Sequence, residues 1–285
     1  MSTAKLAHGG AFTGHQVQER LSWRLSYARG STENPETILV NGGQFSATAN
    51  LHAALVELRG LLRKSKGKGA VPLLWVDFIC LNQASKGEKE KEVPRMGIVN
   101  GRCEQVLGWL GEVGPDDDDT AIRELAARLN HLESFAGEYG KTVYQYVQAY
   151  TTSTVNCSLA ELQSLIRTLG VIGEKAWFKR VWVVQDVTLA SRDPIILLGP
   201  YMFSFDAYFG LLSSLSLCGF QPRPVSYQPV LRHVMARAAF RQPQNIPPET
   251  KGDLNGLQRI AFYMLTFLIY TWGLQATVPL TTYTG

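Results

Sequence analysis

One carboxylate and two amides stand at the end of an apolar run, where they could hold a polar ligand. Residues 73–79 read Leu-Leu-Trp-Val-Asp-Phe-Ile, and Asn82 and Gln83 follow shortly after. A run this short predicts a strand that is buried on both faces of a mostly parallel sheet. Its carboxylate, Asp77, must then be hydrogen-bonded or paired. Two roles fit: a structural acceptor for backbone N–H groups or Arg29, or a ligand contact at the carboxyl edge of the sheet, where α/β sheets place their sites.

Other patterns that carry chemistry are absent from the sequence. There is no Gly-x-Ser-x-Gly elbow, and the basic stretch at 64–68 lacks the P-loop spacing and is expected to be a solvated loop. The histidines are scattered, so we predict no metal site. The four cysteines form no Cys-x-x-Cys pair, and the N-terminus lacks an apolar secretory segment. These features favour a cytoplasmic protein with reduced thiols, in which Cys80 is buried and inert.

Predicted strands and helices alternate along the centre of the chain. Trp23 to Tyr27 is predicted as a short strand, and Asn41-Gly-Gly between two apolar segments is typical of a hairpin. Leucines recur at helical spacing from Asn50, a candidate N-cap. The other predicted elements are a helix around 93–103, a strand at 105–110, a helix at 120–139, a helix capped by Ser158 and Glu161 with Leu159, Leu162, Ile166 and Leu169 on its apolar face, a strand at 195–198 and a helix from Ser204 to about 217. This alternation predicts an α/β fold with a mostly parallel central sheet flanked by helices.

The two ends of the chain have a different composition. Residues 1–20 are polar and are expected to form a flexible arm, whereas 221–250 are rich in Pro, Gln and Arg. Residues 260–278 are apolar and uncharged, but their Thr, Tyr, Gly and Gln residues favour a buried helix over a membrane span. We therefore predict a central domain at 21–220 and an irregular helical C-terminal extension at 221–285, the remnant of a longer protein or a segment of its own.

Composition narrows the function classes. The chain is 45% hydrophobic and 18% charged, as in a globular protein rather than a disordered one. The formal net charge is only +4, and no dense basic cluster is interleaved with aromatic residues. We therefore expect neither a nucleic-acid partner nor a membrane partner.

Three separated blocks resemble, in the right order, the motifs of the fungal heterokaryon-incompatibility (HET) domain. Residues 25–30, Leu-Ser-Tyr-Ala-Arg-Gly, are similar to the family's Leu-Ser-Tyr-x-Trp-Gly. Residues 75–83, Trp-Val-Asp-Phe-Ile-Cys-Leu-Asn-Gln, are similar to Trp-Ile-Asp-x-Ile-Cys-Ile-Asn-Gln. Residues 177–186, Trp-Phe-Lys-Arg-Val-Trp-Val-Val-Gln-Asp, are similar to Trp-Phe-x-Arg-x-Trp-x-x-Gln-Glu. Residues 276–283 are a fainter match to a fourth block, because its charged positions are lost.

The resemblance implies that the motif residues hold either a ligand or the fold. Those residues are Tyr27, Arg29, Trp75, Asp77, Asn82, Gln83, Trp177, Arg180, Trp182 and Gln185. Arg29 departs from the family pattern, in which Trp stands. A planar cation there either stacks on a ligand or partner with altered electrostatics, or is an exposed loop residue.

HET domains are regarded as remote relatives of Toll/interleukin-1-receptor (TIR) domains, which implies a TIR-like fold. In enzymatic TIR members, a Glu shortly after a Trp assists cleavage of the nicotinamide–ribose bond of NAD. By that analogy Asp186, which follows Trp182, is the catalytic candidate and NAD the candidate cofactor. Asp is shorter than Glu by about 1.5 Å, a misplacement that can cost on the order of 100-fold in rate. The alternative is a structural role, in which Trp177 and its neighbours are core and Asp186 caps a helix or pairs with Arg180.

The resemblance implies a function in fungal non-self recognition, in which protein association, including self-association, triggers growth arrest or cell death. Two alternatives stay open. One is a TIR-like NAD glycohydrolase with Asp186 as its catalytic residue and Asp77, Asn82 and Gln83 around the ligand. The other is a degenerate paralogue that folds without signalling.

Overall fold

The central region folds as a mixed α/β structure. The computed structural model describes residues 23–64, 73–92, 95–137 and 158–217. The strands are β1 (Trp23–Tyr27), β2 (Glu36–Val40), β3 (Gly43–Ala47), β4 (Leu74–Trp75), β5 (Gln105–Trp109), β6 (Ile195–Leu198) and β7 (Tyr201–Ser204). The helices are α1 (Ala49–Lys64), α2 (Asp77–Cys80), α3 (Lys86–Glu92), α4 (Met96–Arg102), α5 (Asp119–Gly137), α6 (Leu159–Gly173), α7 (Val181–Leu189) and α8 (Phe205–Leu217), with a 3₁₀ helix at Ala176–Lys179.

Five strands form the central sheet in the order β4-β1-β5-β6-β7. β4, β1, β5 and β6 run parallel, and β7 is antiparallel at one edge, which confirms the prediction of a mostly parallel sheet. In chain order of the sheet strands this is 2-1-3-4-5, so the direction of winding reverses between β1 and β5. Open α/β sheets bind ligands at the carboxyl ends of the strands beside such a reversal.

β2 and β3 form a separate two-stranded sheet, as the Asn-Gly-Gly sequence predicts. Asn41 has a φ of 51° and Gly42 a φ of 87°, the backbone of a type I′ turn. Ile38 and Phe45 face each other in the pair, and the Phe45 ring meets the Phe78 ring edge to face at 5.6 Å. This ring contact packs the hairpin against Phe78 of the second motif block.

The predicted strand over 73–79 is wrong in length and in position. Only Leu74–Trp75 is strand, and β4 is an edge strand with β1 as its neighbour. The chain then turns into α2, where the Cys80 N–H bonds the Val76 carbonyl at 2.8 Å and the Phe78 N–H bonds the Asp77 carboxylate at 2.7 Å. These local hydrogen bonds satisfy backbone N–H and C=O groups that would otherwise need a second neighbouring strand.

Two apolar layers cover the sheet. One contains Leu25, Tyr27 and Trp109 with residues of α1. The other contains residues of α5, α6, α7 and α8 around Trp177. A Cβ on Gly108 would lie 2.7 Å from the Trp177 ring, so the close approach of this ring to β5 depends on glycine.

Most predicted helix starts are correct, and the exceptions have local causes. Ser158 and Glu161 form the expected capping box, but Leu159 is 68% exposed rather than on the apolar face, because it is the first residue of α6. α1 begins at Ala49, and the Thr48 hydroxyl accepts the Leu51 N–H at 3.3 Å, which replaces the predicted cap. The Asn50 side chain instead bonds Ala28 and Trp109.

Some predictions lie outside the described residues. They concern the N-terminal arm, the basic stretch at 64–68 beyond its first residue, and the whole C-terminal extension with its apolar segment. None of the helices within the described ranges is both long and apolar enough to cross a membrane.

Candidate functional site

The three motif blocks converge on β1. Ser26 of the first block bonds residues of the third, and the guanidinium of Arg29, also of the first block, covers the Phe78 ring of the second. Neighbouring residues of a strand point to opposite faces. The polar side chains therefore form two groups, one on either side of β1.

The first group, here called the Asp186 cluster, consists of Arg24, Ser26, Asn100, Trp177 and Asp186. The Asp186 carboxylate accepts from Arg24 Nη2 at 2.9 Å, Ser26 Oγ at 2.6 Å and Asn100 Nδ2 at 3.2 Å. Trp177 Nε1 donates to Ser26 Oγ at 2.9 Å. β1, α4, the 3₁₀ helix and α7 are thus joined through polar side chains inside the protein.

The Asp186 cluster is sealed from solvent. Asp186 is 3% exposed, Arg24 4% and Asn100 0%. The Trp75 ring covers the Arg24 guanidinium, whose central carbon lies 5.0 Å from the ring centroid. Since both carboxylate oxygens already accept hydrogen bonds, the observed arrangement makes Asp186 the anchor of a buried ion pair.

Asp186 forms its ion pair with Arg24, so the prediction that it pairs with Arg180 is wrong. Arg180 is close in sequence, but its guanidinium donates to the carbonyl oxygen of Tyr27. A catalytic role for Asp186 stays a prediction. It would require a movement that uncovers the carboxylate and releases at least one of its three donors.

The second group, here called the Asp77 cluster, consists of Tyr27, Arg29, Asp77, Phe78, Gln83 and Arg180. The Asp77 carboxylate accepts the Phe78 N–H at 2.7 Å, so the prediction that this carboxylate is hydrogen-bonded is confirmed, and its negative charge acts on the buried Tyr27 hydroxyl. Gln83 Nε2 donates to the backbone carbonyl oxygens of Asp77 at 3.1 Å and Leu81 at 3.3 Å. These bonds fix the chain where it leaves the end of β4.

Arg29 gives the Asp77 cluster an exposed cation. Its guanidinium carbon lies 4.5 Å from the centroid of the Phe78 ring, and the residue is exposed. The sequence predicted stacking or exposure as alternatives, and the structure combines them. One face of the guanidinium covers an aromatic ring, while the charge stays accessible to a partner.

The Tyr27 hydroxyl has a strongly perturbed acidity. Burial, together with the negative charge and hydrogen bond of Asp77, raises its pKa above the ordinary value of 10.0. The protonated form is therefore favoured in the folded protein, and the stability contributed by this group is complete below the unfolded-state pKa. It declines as the pH rises beyond about 10.

In the Tyr27→Phe variant, which lacks the hydroxyl, the free energy of unfolding is therefore expected to fall less steeply above pH 10 than in the wild type. Urea unfolding between pH 8 and pH 11 measures the effect, with the difference between variant and wild type as the readout. Burial also raises the pKa values of Cys80 and Cys103, the latter to about 11. The free energy of unfolding therefore falls to some extent at alkaline pH in the wild type and in the variant alike. Parallel curves for the two proteins would contradict the assignment to Tyr27.

The remaining predicted site residues are dispersed. Asn82 is exposed, and its Oδ1 accepts the Ala84 N–H at 3.0 Å, which closes a turn before α3. Trp182 and Gln185 are half-buried on α7. Asp77 and Asp186 act on opposite sides of β1, so the structure as described does not bring the two carboxylates and the Asn82 and Gln83 amides into one cleft.

Sequence reasoning missed four polar residues that organise the site, namely Arg24, Ser26, Asn50 and Asn100. Arg24 and Asn100 complete the Asp186 cluster, although an arginine among the apolar residues of β1 was a usable signal. Asn50 bridges the ends of β1 and β5, where the strand order reverses. Its Nδ2 donates to the Ala28 carbonyl oxygen at 2.5 Å, and its Oδ1 accepts from Trp109 Nε1 at 2.8 Å.

The described residues contain no group of three or more His, Cys, Asp or Glu side chains that could hold a metal ion. Cys80 and Cys103 are buried thiols that form no disulfide, as predicted for Cys80. Their raised pKa values favour the protonated form, which is the less nucleophilic one.

Comparison with known proteins places these clusters in context. A sequence model of the family described as heterokaryon incompatibility protein (HET) matches residues 23–186, more than half of the chain. The chain is also similar to heterokaryon incompatibility protein 6, OR allele, of Neurospora crassa, with 24% identity over 189 residues. That match covers 59% of this chain but 27% of the Neurospora protein, so the chain spans about a quarter of this relative's length. No solved structure matches the chain.

Proposed function

The chain belongs to the family of heterokaryon incompatibility (HET) proteins, and on that premise we propose that it acts in fungal non-self recognition. In this proposal, association of the domain with other proteins or with itself triggers growth arrest or cell death. The supporting observation is that the family match begins at β1 and ends at Asp186, so it encloses both polar clusters. The motif residues pack together in one domain, and Arg29 places a positive charge on its surface.

The chemistry of the two clusters supports association more than catalysis. The Asp186 carboxylate is buried and held by three side-chain donors, which suits a group that specifies packing. Three buried atoms around it, Nε and Nη1 of Arg24 and Oδ1 of Asn100, have no hydrogen-bond partner among the described residues. The Asp77 cluster reaches the surface through Arg29. Arginine is enriched at protein interfaces, and a guanidinium that is already stacked loses little freedom on binding a partner.

Inducible expression of the whole chain in a filamentous fungus tests the proposal, with colony growth and vital-dye uptake as readouts. Growth arrest is expected for the natural sequence, and at least a several-fold weaker response is expected for Arg29→Glu, because the charge reversal removes the proposed contact. Arg167→Glu reverses the charge of another exposed arginine, on α6, and is the matched control. Normal growth at full expression of the natural sequence would contradict the proposal and favour a degenerate paralogue.

Purified protein incubated with NAD tests the enzymatic alternative. We expect no nicotinamide release, since the Asp186 carboxylate is covered and fully bonded. Release from the natural protein that is lost in a folded Asp186→Asn variant would instead support a TIR-like NAD glycohydrolase.

A further inference from the structure

The outer edge of the hairpin has little of the protection usual for an exposed β-strand, since only Pro35 before it and Glu36 at its start provide any. β2 reads Glu-Thr-Ile-Leu-Val, with no lysine, proline or bulge, and it pairs in continuous register with β3. Its five residues are exposed or half-buried, and Leu39 is 61% exposed. Soluble proteins normally guard such an edge with charges, prolines or bulges, because an open strand recruits another strand.

The turn fixes which backbone groups of β2 point outward. In a type I′ turn the carbonyl of Val40 accepts the N–H of Gly43, so these two residues form a hydrogen-bonded pair. Hydrogen-bonded and non-hydrogen-bonded pairs alternate along an antiparallel ladder. Ile38 therefore bonds toward β3, while the N–H and C=O groups of Thr37 and Leu39 point away from it. Neither residue makes another backbone hydrogen bond to any part of the chain that the structure describes.

We propose that β2 is a self-association surface, which pairs antiparallel with β2 of a second copy across a twofold axis at Ile38. In this register Thr37 lies opposite Leu39 of the other copy, and each such pair makes two backbone hydrogen bonds. All four outward groups of each strand are then satisfied, which a shift by one residue would prevent. The two hairpins become one four-stranded sheet.

Side chains and charge agree with this register. Thr37 and Leu39 share the exposed face of the hairpin, and Ile38 faces the core, so the pairing keeps each residue on its present face. Glu36 is the one charged residue of β2. Antiparallel pairing separates the two Glu36 side chains by about four residue steps, on the order of 13 Å, which exceeds the screening length at physiological salt. Parallel pairing would set them side by side.

The contact involves only two five-residue strands. It buries far less than the roughly 1,200 Å² of a standard stable interface, so association of the isolated domain is weak and grows with local concentration. This behaviour suits a domain that responds when copies are brought together. The inference deepens the proposed function, but it concerns a physical contact and is measured without reference to growth arrest.

Thr37→Pro tests the edge, because proline removes an outward N–H and leaves the bonds to β3 intact. Sedimentation equilibrium of the whole chain over a concentration series should give a dissociation constant raised at least about tenfold, since the symmetric contact loses two hydrogen bonds. Ser46→Pro is the matched control, because Ser46 lies opposite Thr37 and its N–H points to the other edge of the hairpin. Loss of association in Ser46→Pro alone, or a monomer at every concentration of the natural protein, would overturn the proposal.

A disulfide test fixes the register and does not depend on how the proline variant folds. Residues 37 and 39 of different copies should lie about 5.5 Å apart at Cα, within the range of a disulfide. Mixing Thr37→Cys protein with Leu39→Cys protein under mild oxidation should therefore give the mixed dimer in several-fold excess over either homodimer. The natural chain, oxidised in parallel, accounts for its own thiols. A mixed dimer at no more than the roughly twofold excess that random pairing gives over each homodimer, or no dimer at all, would contradict the pairing.

Discussion

Replacing Asp186 with Ala is expected to lower the free energy of unfolding by about 3–5 kcal/mol, enough to leave much of the protein unfolded. The substitution removes the anion that faces Arg24 and the acceptor of the Ser26 and Asn100 hydrogen bonds. Arg24 is buried, so its charge cannot turn to water instead. Urea unfolding measures the loss, and Glu124→Ala, an exposed acid of α5, should change stability by no more than about 0.5 kcal/mol.

A double-mutant cycle separates the ion pair from a general effect of mutation. Arg24→Met alone should also be strongly destabilising, because it leaves the Asp186 carboxylate buried without its cation. The pair Arg24→Met with Asp186→Leu should cost clearly less than the sum of the two single changes, since apolar groups of similar size can replace a buried pair. Additive losses would show that the two side chains act independently and that the Asp186 cluster is misassigned.

The sequence predicted the sheet well where the signal was local. Local sequence features predict the apolar strands at 105–110 and 195–198 from their composition and length. The hairpin is predicted by Asn41 and the glycine after it, which tolerate positive φ. Mostly parallel topology followed from the alternation of strands and helices. The strand prediction for 73–79 failed because apolar composition alone does not distinguish a strand from a half-buried helical turn that begins with an acidic residue.

Side-chain partners were harder to predict, because they depend on contacts between distant parts of the chain. Arg180 was the obvious cation for Asp186 by proximity, but Ser26, one of its actual partners, is 160 positions away. Asn50 was predicted to cap α1, where a Thr two residues earlier does so, and its amide instead joins β1 to β5. A local pattern identifies that a polar group needs a partner, but only the fold determines which one it meets.

Those long-range contacts also predict that the two tryptophans of the third block differ sharply in importance. Trp177 is fully buried, packs at 5.0 Å against the Phe178 ring and fits the space left by Gly108, whereas Trp182 is half-buried on α7. Trp177→Ala should therefore cost about 3–5 kcal/mol in the free energy of unfolding, through lost burial and the cavity it leaves. Trp177→Phe keeps a ring but loses the bond from Nε1 to Ser26, so its cost should fall in between.

Trp182→Ala is the matched control, with an expected loss of less than about 1.5 kcal/mol because part of the side chain is already in contact with water. Urea unfolding at one pH ranks the wild type and the three tryptophan variants by their free energies of unfolding. If Trp182→Ala is as damaging as Trp177→Ala, the packing of Trp177 against β5 cannot be what holds the third block to the sheet. If Trp177 dominates, the Asp186 carboxylate keeps its position because the ring beside Ser26 closes that side of β1 to water.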